Sequence, residues 1–447
     1  MTRYANTIGV NVPRILLPAQ GTDFSKWAVV ACDQFTSQPD YWEEAEAYIG
    51  GMPSTLSLIL PEAYLGKPGE EERIERAKAS MQEYLQTGVL EERKEGFVFV
   101  RRKAGGATRL GLVMALDLEE YCYEKGATTL IRATEGTIVD RIPPRLRIRA
   151  GAPIELPHIL VLIDDPARTV IEPFAEETAR MDLLYDTDLM CNGGHIAGYH
   201  VSDPAQIERA ISALTALKDA DAFAAKYGEG NAPLLFAMGD GNHSFATAKA
   251  AWEAVKSGLS LEEQADHPAR YALVEIENVH DDGIVFEPIH RVLFGMEAEA
   301  AIVRLHALLA KANGQVRVVR FDEEALLEGY MRQCPESAHV LPFYCGENCG
   351  AFVVEGPAQQ LCVGTLQNAI DVLMQECPGA EVDYIHGKDV VLALSAKPNA
   401  LGFLLPAMKK SELFPTVVYD GALPRKTFSM GEANEKRYYM ECRRIVK

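Results

Sequence analysis

The sequence predicts a mixed α/β (α+β) protein, with a central mixed sheet flanked by helices and more than one domain. Three observations predict it. Short apolar or alternating runs of strand type are interleaved with amphipathic runs of helical period along the whole chain. No repeat or low-complexity tract interrupts them. Hydrophobic residues make up 48% and charged residues 24%, the composition of an ordinary globular protein.

The elements follow in order. PDYWEEAEAYI (39 to 49) predicts a helix opened by Pro39. Within EEERIERAKASMQEYLQTGVL (70 to 90), Ile74, Ala77, Met81 and Leu85 share one face and Gly88 follows, so a second helix is expected. GFVFVRRK and TRLGLVMALDL flank Gly105-Gly106 and predict a strand pair. PHILVLIDDP (157 to 166) predicts a short apolar strand ended by acids and a proline. PAQIERAISALTALKDADAFAAKYG (204 to 228) predicts a helix capped by Ser202 or Asp203. RYALVEIENV (270 to 279) and GIVFEPIHRVLF (283 to 294) predict strands on either side of a turn at His280-Asp281-Asp282-Gly283. EAEAAIVRLHALLAKA and VRVVRF continue the alternation toward the C-terminus. At roughly 150 residues per domain, 447 residues suggest about three domains. Loose boundaries near 125 and 300 give an N-terminal α/β region (1–125), a motif-bearing α/β domain (126–300) and a C-terminal α/β region (301–447) packing on the core.

Lys plus Arg number 44 against 64 Asp plus Glu, a formal net charge of −20. Such a chain repels a phosphate backbone at long range, which argues against a general nucleic-acid binder but leaves room for a local basic pocket. There is no run of about 18 apolar residues, and the opening MTRYANTIGVNVPRILLPAQ has no uninterrupted apolar core for a secretory signal. The expectation is a cytoplasmic protein with a small-molecule or nucleotide ligand and no membrane partner. The nine cysteines are odd in number, widely spread and lack a CxxC pair, so neither a disulfide framework nor a zinc ribbon is indicated. Cys345 and Cys349 read as reduced thiols flanking a turn, because further metal ligands are not nearby.

The stretch FAMGDGNHSFATAKAAWEAV (236 to 255) changes character halfway: an apolar run meets Gly239, Asp240, Gly241, Asn242, His243 and Ser244, then an alanine-rich helix begins. A strand that passes through glycines into a helix exposes unpaired N–H groups at the positive end of the dipole, a ready anion site. It could equally be a capped helix after a turn, with Ser244 or Asn242 as cap. The spacing is neither that of the dinucleotide fingerprint nor that of the Walker loop. In IRATEGT, Arg132 and Glu135 offer a cation and a carboxylate, with Thr134 and Thr137 as donors; a salt-bridged surface turn is the alternative. Arg141, Arg145, Arg147 and Arg149 concentrate positive charge in DRIPPRLRIRAG, as a phosphate lining or as an edge strand with alternating arginines. His290 and Arg291 are adjacent on a strand, so only one of them can face a given site. Lys426 could reach an anion as a point charge, or simply be solvated. His195 and His200 lie five apart, a spacing that fits a glycine-rich hairpin better than a metal site. Asp33 could be a divalent-ion or substrate carboxylate, or equally a turn former. No metal site is expected.

Taken in order, these stretches resemble the domain-of-unknown-function 1015 family. Its hallmark is a strand-D-G-x-H element followed by an aromatic and an alanine-rich helix, as in GDGNHSF here. LIRATEGT resembles its I-R-P-x-E-x-T element, Asp140-Arg141 its D-R and EPIHRVLF its P-x-H-R strand. VDYIHG (382 to 387), ALGFLLP (400 to 406) and LPRKTFSMGEANEKRYY (423 to 439) resemble its later elements, so the resemblance spans about residues 10 to 447. The D-G-x-H element is itself similar to that of the ParB/sulfiredoxin superfamily, which includes free serine kinases. That likeness implies a ParB/sulfiredoxin-like element around residues 240–243 and ATP or ADP with Mg²⁺ as ligand. It implies Gly241, Asn242 and Ser244 as a phosphate cradle, with Arg132, Thr134, Arg141, His290, Arg291 and Lys426 contributing, and Glu135, His243 and Asp240 in the chemistry. The chain departs from the pattern at Asn242 for the usual first histidine, Ser244 for arginine and Ala246 for glutamate, and losing the arginine removes a bidentate phosphate fork. Three readings follow: a nucleotide-dependent small-molecule kinase or phosphotransferase, a non-catalytic nucleotide or phosphometabolite sensor, and a phosphatase or other hydrolase. The first expects residues 130–149, 239–249 and 287–291 to converge on one pocket.

Overall fold

The chain divides into two compact units, Met1–Val285 with Met430–Lys447 and Phe286–Ser429. The computed structural model describes residue 4 and residues 6–136 and 142–447. In the first unit a ten-stranded mixed sheet is built from β1 (Val10–Asn11), β2 (Phe97–Ala104), β3 (Ala107–Asp117), β4 (Tyr121–Cys122), β5 (Ile131–Arg132), β6 (Leu160–Ile163), β7 (Asp182–Leu189), β8 (Gly194–Val201), β9 (Phe236–Asp240) and β10 (Tyr271–Asn278). Their order is β7-β8-β2-β3-β10-β6-β9-β5-β4, with β1 paired to β3. The pairs β5–β9, β4–β5 and β6–β10 are parallel, and the others are antiparallel.

Alternation along the strands builds two cores, one on each face. Phe97, Phe99, Leu112, Met114, Phe236 and Met238 belong to one, and Val98, Val100, Val113 and Leu273 belong to the other together with Trp27, Trp42, Tyr438 and Tyr439. Burial on both sides explains why β6 reads LVLI without alternation.

The helices follow the amphipathic runs, and each deviation has a local cause. Pro39–Ile49 (α1) ends at Gly50 in the left-handed region. Glu70–Gln86 (α2) stops short of residue 90 because Gly88, at φ +76°, turns the chain into the strand Leu90–Glu95. DRIPPRLRIRAG supplies a helix, Ile142–Arg149 (α3), and no edge strand. Its two prolines sit in the first turn, where a missing N–H costs nothing, and Arg and Leu are good helix formers. The run 204–228 divides into Pro204–Leu217 (α4) and Ala220–Tyr227, because the Asp219 carboxylate accepts the Ala222 N–H and caps a new start. After β9 comes Asn242–Lys256 (α5). The turn after β10 does not return into the same sheet: Asp281 accepts N–H bonds from Gly283 (2.7 Å) and Leu110 (2.9 Å), and the next long strand lies in the second unit.

That unit has an antiparallel sheet of β11 (His290–Phe294), β12 (Gln315–Phe321), β13 (His339–Cys345), β14 (Asn348–Glu355), β15 (Glu381–Ile385) and β16 (Ala400–Phe403), in the order β12-β14-β13-β16-β11-β15. Cys345 pairs with Asn348 across the β13–β14 turn, and all nine cysteines are free thiols. No helix among the described residues is long and apolar enough to cross a membrane.

The last residues of the chain thread the first unit's second core. Leu16 and Cys442 exchange N–H···O bonds of 2.8 and 2.9 Å, and Tyr439 N–H donates to the Val29 carbonyl at 2.8 Å. Arg437, only 3% exposed, pins this segment to the sheet: Nε meets Glu275 Oε2 at 2.6 Å, Nη2 meets Glu441 Oε2 at 2.7 Å and Nη1 donates to the Pro157 carbonyl at 2.9 Å. Removing one partner of a buried ionic group leaves uncompensated charge, at about 3–5 kcal/mol. Arg437→Met should therefore cost about that much in urea unfolding. The triple variant with Glu275→Gln and Glu441→Gln should recover a large part of it, and parental stability of the single variant would rule out this role for Arg437.

Candidate functional site

The junction of β9 and α5 is shaped by two glycines. The β6–β9 register shifts between Met238 and Asp240, which puts Gly239 in an irregular step of the ladder. A Cβ on Gly239 would stand 3.1 Å from Leu162 Cγ and 3.2 Å from Met430 Sδ. Gly241 turns the chain at φ +79°, and a Cβ there would lie 3.1 Å from the Ile159 Cα. Helix α5 then begins with no side chain capping its first turn. Asn242, one of the two expected caps, instead accepts the Thr134 N–H at 3.3 Å, while Thr134 Oγ1 donates to the Met238 carbonyl at 2.6 Å. Parallel pairing of β5 with β9 (Ile131↔Phe236, Arg132↔Ala237) carries both strands to the same edge, so IRATE and GDGNHS meet there. Glu135 and His243, both half-buried, are the next residues along from this contact.

Charge gathers on the same turn. Asp240 accepts the Gly241 N–H at 2.8 Å and pairs with Lys436 Nζ at 3.2 Å. Burial alone would raise its carboxyl, but Lys436, His158 and the Gly241 N–H together hold it below the ordinary carboxylate range. Ser244 Oγ lies 3.0 Å from His158 Nε2, and His158 Nδ1 lies 2.7 Å from the Tyr439 hydroxyl. Asp33 Oδ2 is 3.7 Å from His158 Nε2, and the Cys32 N–H donates to Tyr439 Oη at 3.2 Å. Ser244, His158, Tyr439 and Cys32 border a cavity of about 140 Å³ whose walls include Leu58, Ile148 and Ile159 and the ion pair of Arg145 with Glu62. Burial pushes the Glu62 carboxyl up despite the opposing pull of Arg145.

The remaining residues singled out in the sequence are placed as follows. Arg132 is 5% exposed and donates from Nε to Thr129 O (2.8 Å) and from Nη2 to Ala232 O (2.8 Å) and Pro233 O (3.0 Å), tying down the loop that enters β9. Arg141, with Thr137 and Asp140, lies outside the described residues. Arg147 pairs with Glu70 and Glu71, and Arg149 with Glu155, each at 2.5 Å. His290, Arg291 and Lys426 belong to the second unit. There His290 Nδ1 accepts the Leu405 N–H at 3.1 Å, the buried Arg291 donates to Gln367 Oε1 (3.1 Å) and Arg425 O (2.9 Å), and Lys426 is exposed. His195 and His200 sit on β8, one between Asp186 and Asp188 and the other against Lys94 O. Among the described residues no group of three His, Cys, Asp or Glu could hold a metal ion. His158 was not singled out in the sequence, and Lys436 and Tyr439 appeared there only at the end of the stretch 423–439. A histidine opening an apolar strand was the only local sign of the first.

Gly241→Val should destabilise the protein by about 2–5 kcal/mol, since a β-branched residue resists positive φ and would press on Ile159. A melting temperature within error of the parent would show that the junction relaxes. His290 gives a pH test. Burial first, then Arg291 and His386, push its imidazole down to about 4. The unfolded chain takes up this proton near pH 6.5 and the folded one only near 4. Its contribution is therefore full above the unfolded value and is lost as pH falls through that window, at up to about 1.4 kcal/mol per unit. His290→Asn should flatten that part of the stability curve, and an unchanged slope would assign it to carboxylates.

A family model described as a protein of unknown function (DUF1015) matches residues 16–373. No curated protein matches the chain. Among solved structures, a conserved hypothetical protein from Pyrococcus furiosus aligns at 14% identity and a TM-score of 0.34, over 73% of this chain and 90% of its own. A free serine kinase in complex with AMP aligns at 13% and 0.37, over 73% and 90%. SbnI with a C-terminal truncation, from Staphylococcus aureus, aligns at 10% and 0.33, over 71% and 82%. At this degree of superposition no residue role passes from those proteins to this one. The family match, spanning most of the chain, is decisive: the protein belongs to the DUF1015 family, whose function is unknown.

Proposed function

We propose that this chain is a cytoplasmic, nucleotide-dependent phosphotransferase acting on the hydroxyl of a small molecule, with phosphate held at the first turn of α5. The observation that carries the reading is the junction itself. An uncapped helix start follows a left-handed glycine, with Lys436 beside it and the IRATE segment fastened to it through Thr134 and Asn242. The backbone amides of a helix start and the helix dipole favour an anion there. In a chain of net charge −20, a local cation is needed to admit one, and Lys436 offers it as a point charge where the family's arginine is replaced by Ser244. Glu135 serves as the base that takes the hydroxyl proton, and the first-turn amides with Lys436 offset charge on the transferring group. The oxygen donors of Asp240 and Glu135 suit Mg²⁺, which would accompany ATP as phosphoryl donor. Nine free thiols fit a reducing compartment. A nucleotide or phosphometabolite sensor is the second reading. The Ser244–His158 hydrogen bond favours it, because the residue at the family's arginine position is already engaged.

A melting-temperature screen of AMP, ADP and ATP with and without Mg²⁺ tests the reading. A nucleotide at 100 times its dissociation constant adds about 2.7 kcal/mol of stability. His243→Ala should weaken binding by about 0.5–3 kcal/mol, the worth of one hydrogen bond, with the amides intact. Phosphate transfer from a bound nucleotide to any of a panel of hydroxyl compounds marks an enzyme, and binding without turnover marks a sensor. No shift with any nucleotide would end the phosphotransferase reading and leave only a phosphometabolite sensor.

A further inference from the structure

Beyond the phosphate reading, Ser244 on the cavity side of α5 stands within hydrogen-bond distance of His158, just before β6. We infer that Ser244 is a covalent nucleophile toward carboxylic esters of short apolar acids, with His158 as its general base and Tyr439 as the residue that positions the imidazole.

Three observations carry this. Ser244 Oγ is 3.0 Å from His158 Nε2, and His158 Nδ1 is 2.7 Å from the Tyr439 hydroxyl, so one imidazole bridges a serine and a fixed partner. The partner is itself fixed, because Tyr439 Oη accepts the Cys32 N–H at 3.2 Å. With Nδ1–H donating to that oxygen, Nε2 presents its lone pair to the serine hydroxyl. Finally, Ser244 and His158 open onto the 140 Å³ cavity, walled by Leu58, Leu60, Ile148 and Ile154, whose cations Arg145 and Arg149 are matched by Glu62 and Glu155. A cavity of that size holds a group of roughly two to five carbons, and its balanced charge favours a neutral acyl chain over a second anion.

The chemistry closes on itself with water. Ser244 Oγ attacks the ester carbonyl carbon as its proton passes to His158 Nε2. The carbon–oxygen bond to the alcohol breaks, and the departing alkoxide takes that proton. Water then attacks the acyl-Ser244 carbonyl while giving a proton to His158. The carboxylic acid leaves, and the proton returns to Ser244. The negative charge that develops in both steps lies at the nucleophile's own helix turn, where the dipole offsets it.

The test uses the full chain with p-nitrophenyl butyrate and a fluorophosphonate probe, read by intact mass and peptide mapping. The expected result is one adduct, on Ser244, absent from Ser244→Ala, with labelling and hydrolysis slowed about 100-fold or more in His158→Gln. Tyr439→Phe should lower kcat with KM unchanged. Melting temperatures identify any variant that fails to fold, and the adduct mapped on the parent decides the matter in that case. A parent protein left unlabelled at Ser244 overturns the inference, as does His158→Gln labelled at the parental rate. Labelling of Ser244 without any nucleotide shift would retire the phosphotransferase reading alone, and a nucleotide shift without an adduct would retire this one alone.

Discussion

The buried guanidinium of Arg437 is the contact on which the candidate site depends. It joins Glu275 on β10, Glu441 four residues on and the Pro157 carbonyl just before His158. Three segments far apart in sequence are thereby held at one place in the first unit. Lys436 precedes Arg437 and reaches Asp240, and Tyr439 follows two residues later and reaches His158. Without that anchor, neither the cation beside the helix start nor the hydroxyl that orients the imidazole has a defined position. Its cost is the desolvation of three charges, tolerable because all three are paired and hydrogen-bonded.

A second constraint is steric. Gly241 stands at positive φ with the Ile159 backbone against it, so the turn into α5 has room for hydrogen and little else. This fixes the direction in which the helix starts, and hence which side chains look toward β5 and which toward the cavity. Asn242 goes to Thr134, and Ser244, two residues on, goes to His158. The two sides of one helix turn therefore serve different partners, which is why a phosphate cradle and a serine–histidine pair can be argued from the same turn.

Arginine content proved a poor guide to anion sites in this chain. Arg132, Arg145, Arg147, Arg149 and Arg291 are all committed to carboxylates, carbonyls or an amide oxygen. An acidic protein has carboxylates in excess, and each of these arginines finds one or is used to close a loop or brace a helix. Lys436, inside the closing segment, supplies the cation beside the junction.

The sequence by itself determined the local elements and the family. Helical period set α1 and α2, the glycine pair at 105 and 106 set the β2–β3 hairpin, and the strand–glycine–helix pattern set the junction at 240–244, because each depends on neighbours a few residues away. Local chemistry also decided what period alone misread: prolines 143 and 144 open a helix, and Asp219 starts a new one. Strand order, the separation of β10 from β11 into different sheets and the meeting of His158, Tyr439 and Lys436 with the junction were decided only in three dimensions. Those contacts join residues up to about four hundred positions apart, as where Cys32 meets Tyr439. No spacing rule encodes them; they follow from which apolar faces bury against each other and from where one buried arginine finds its carboxylates.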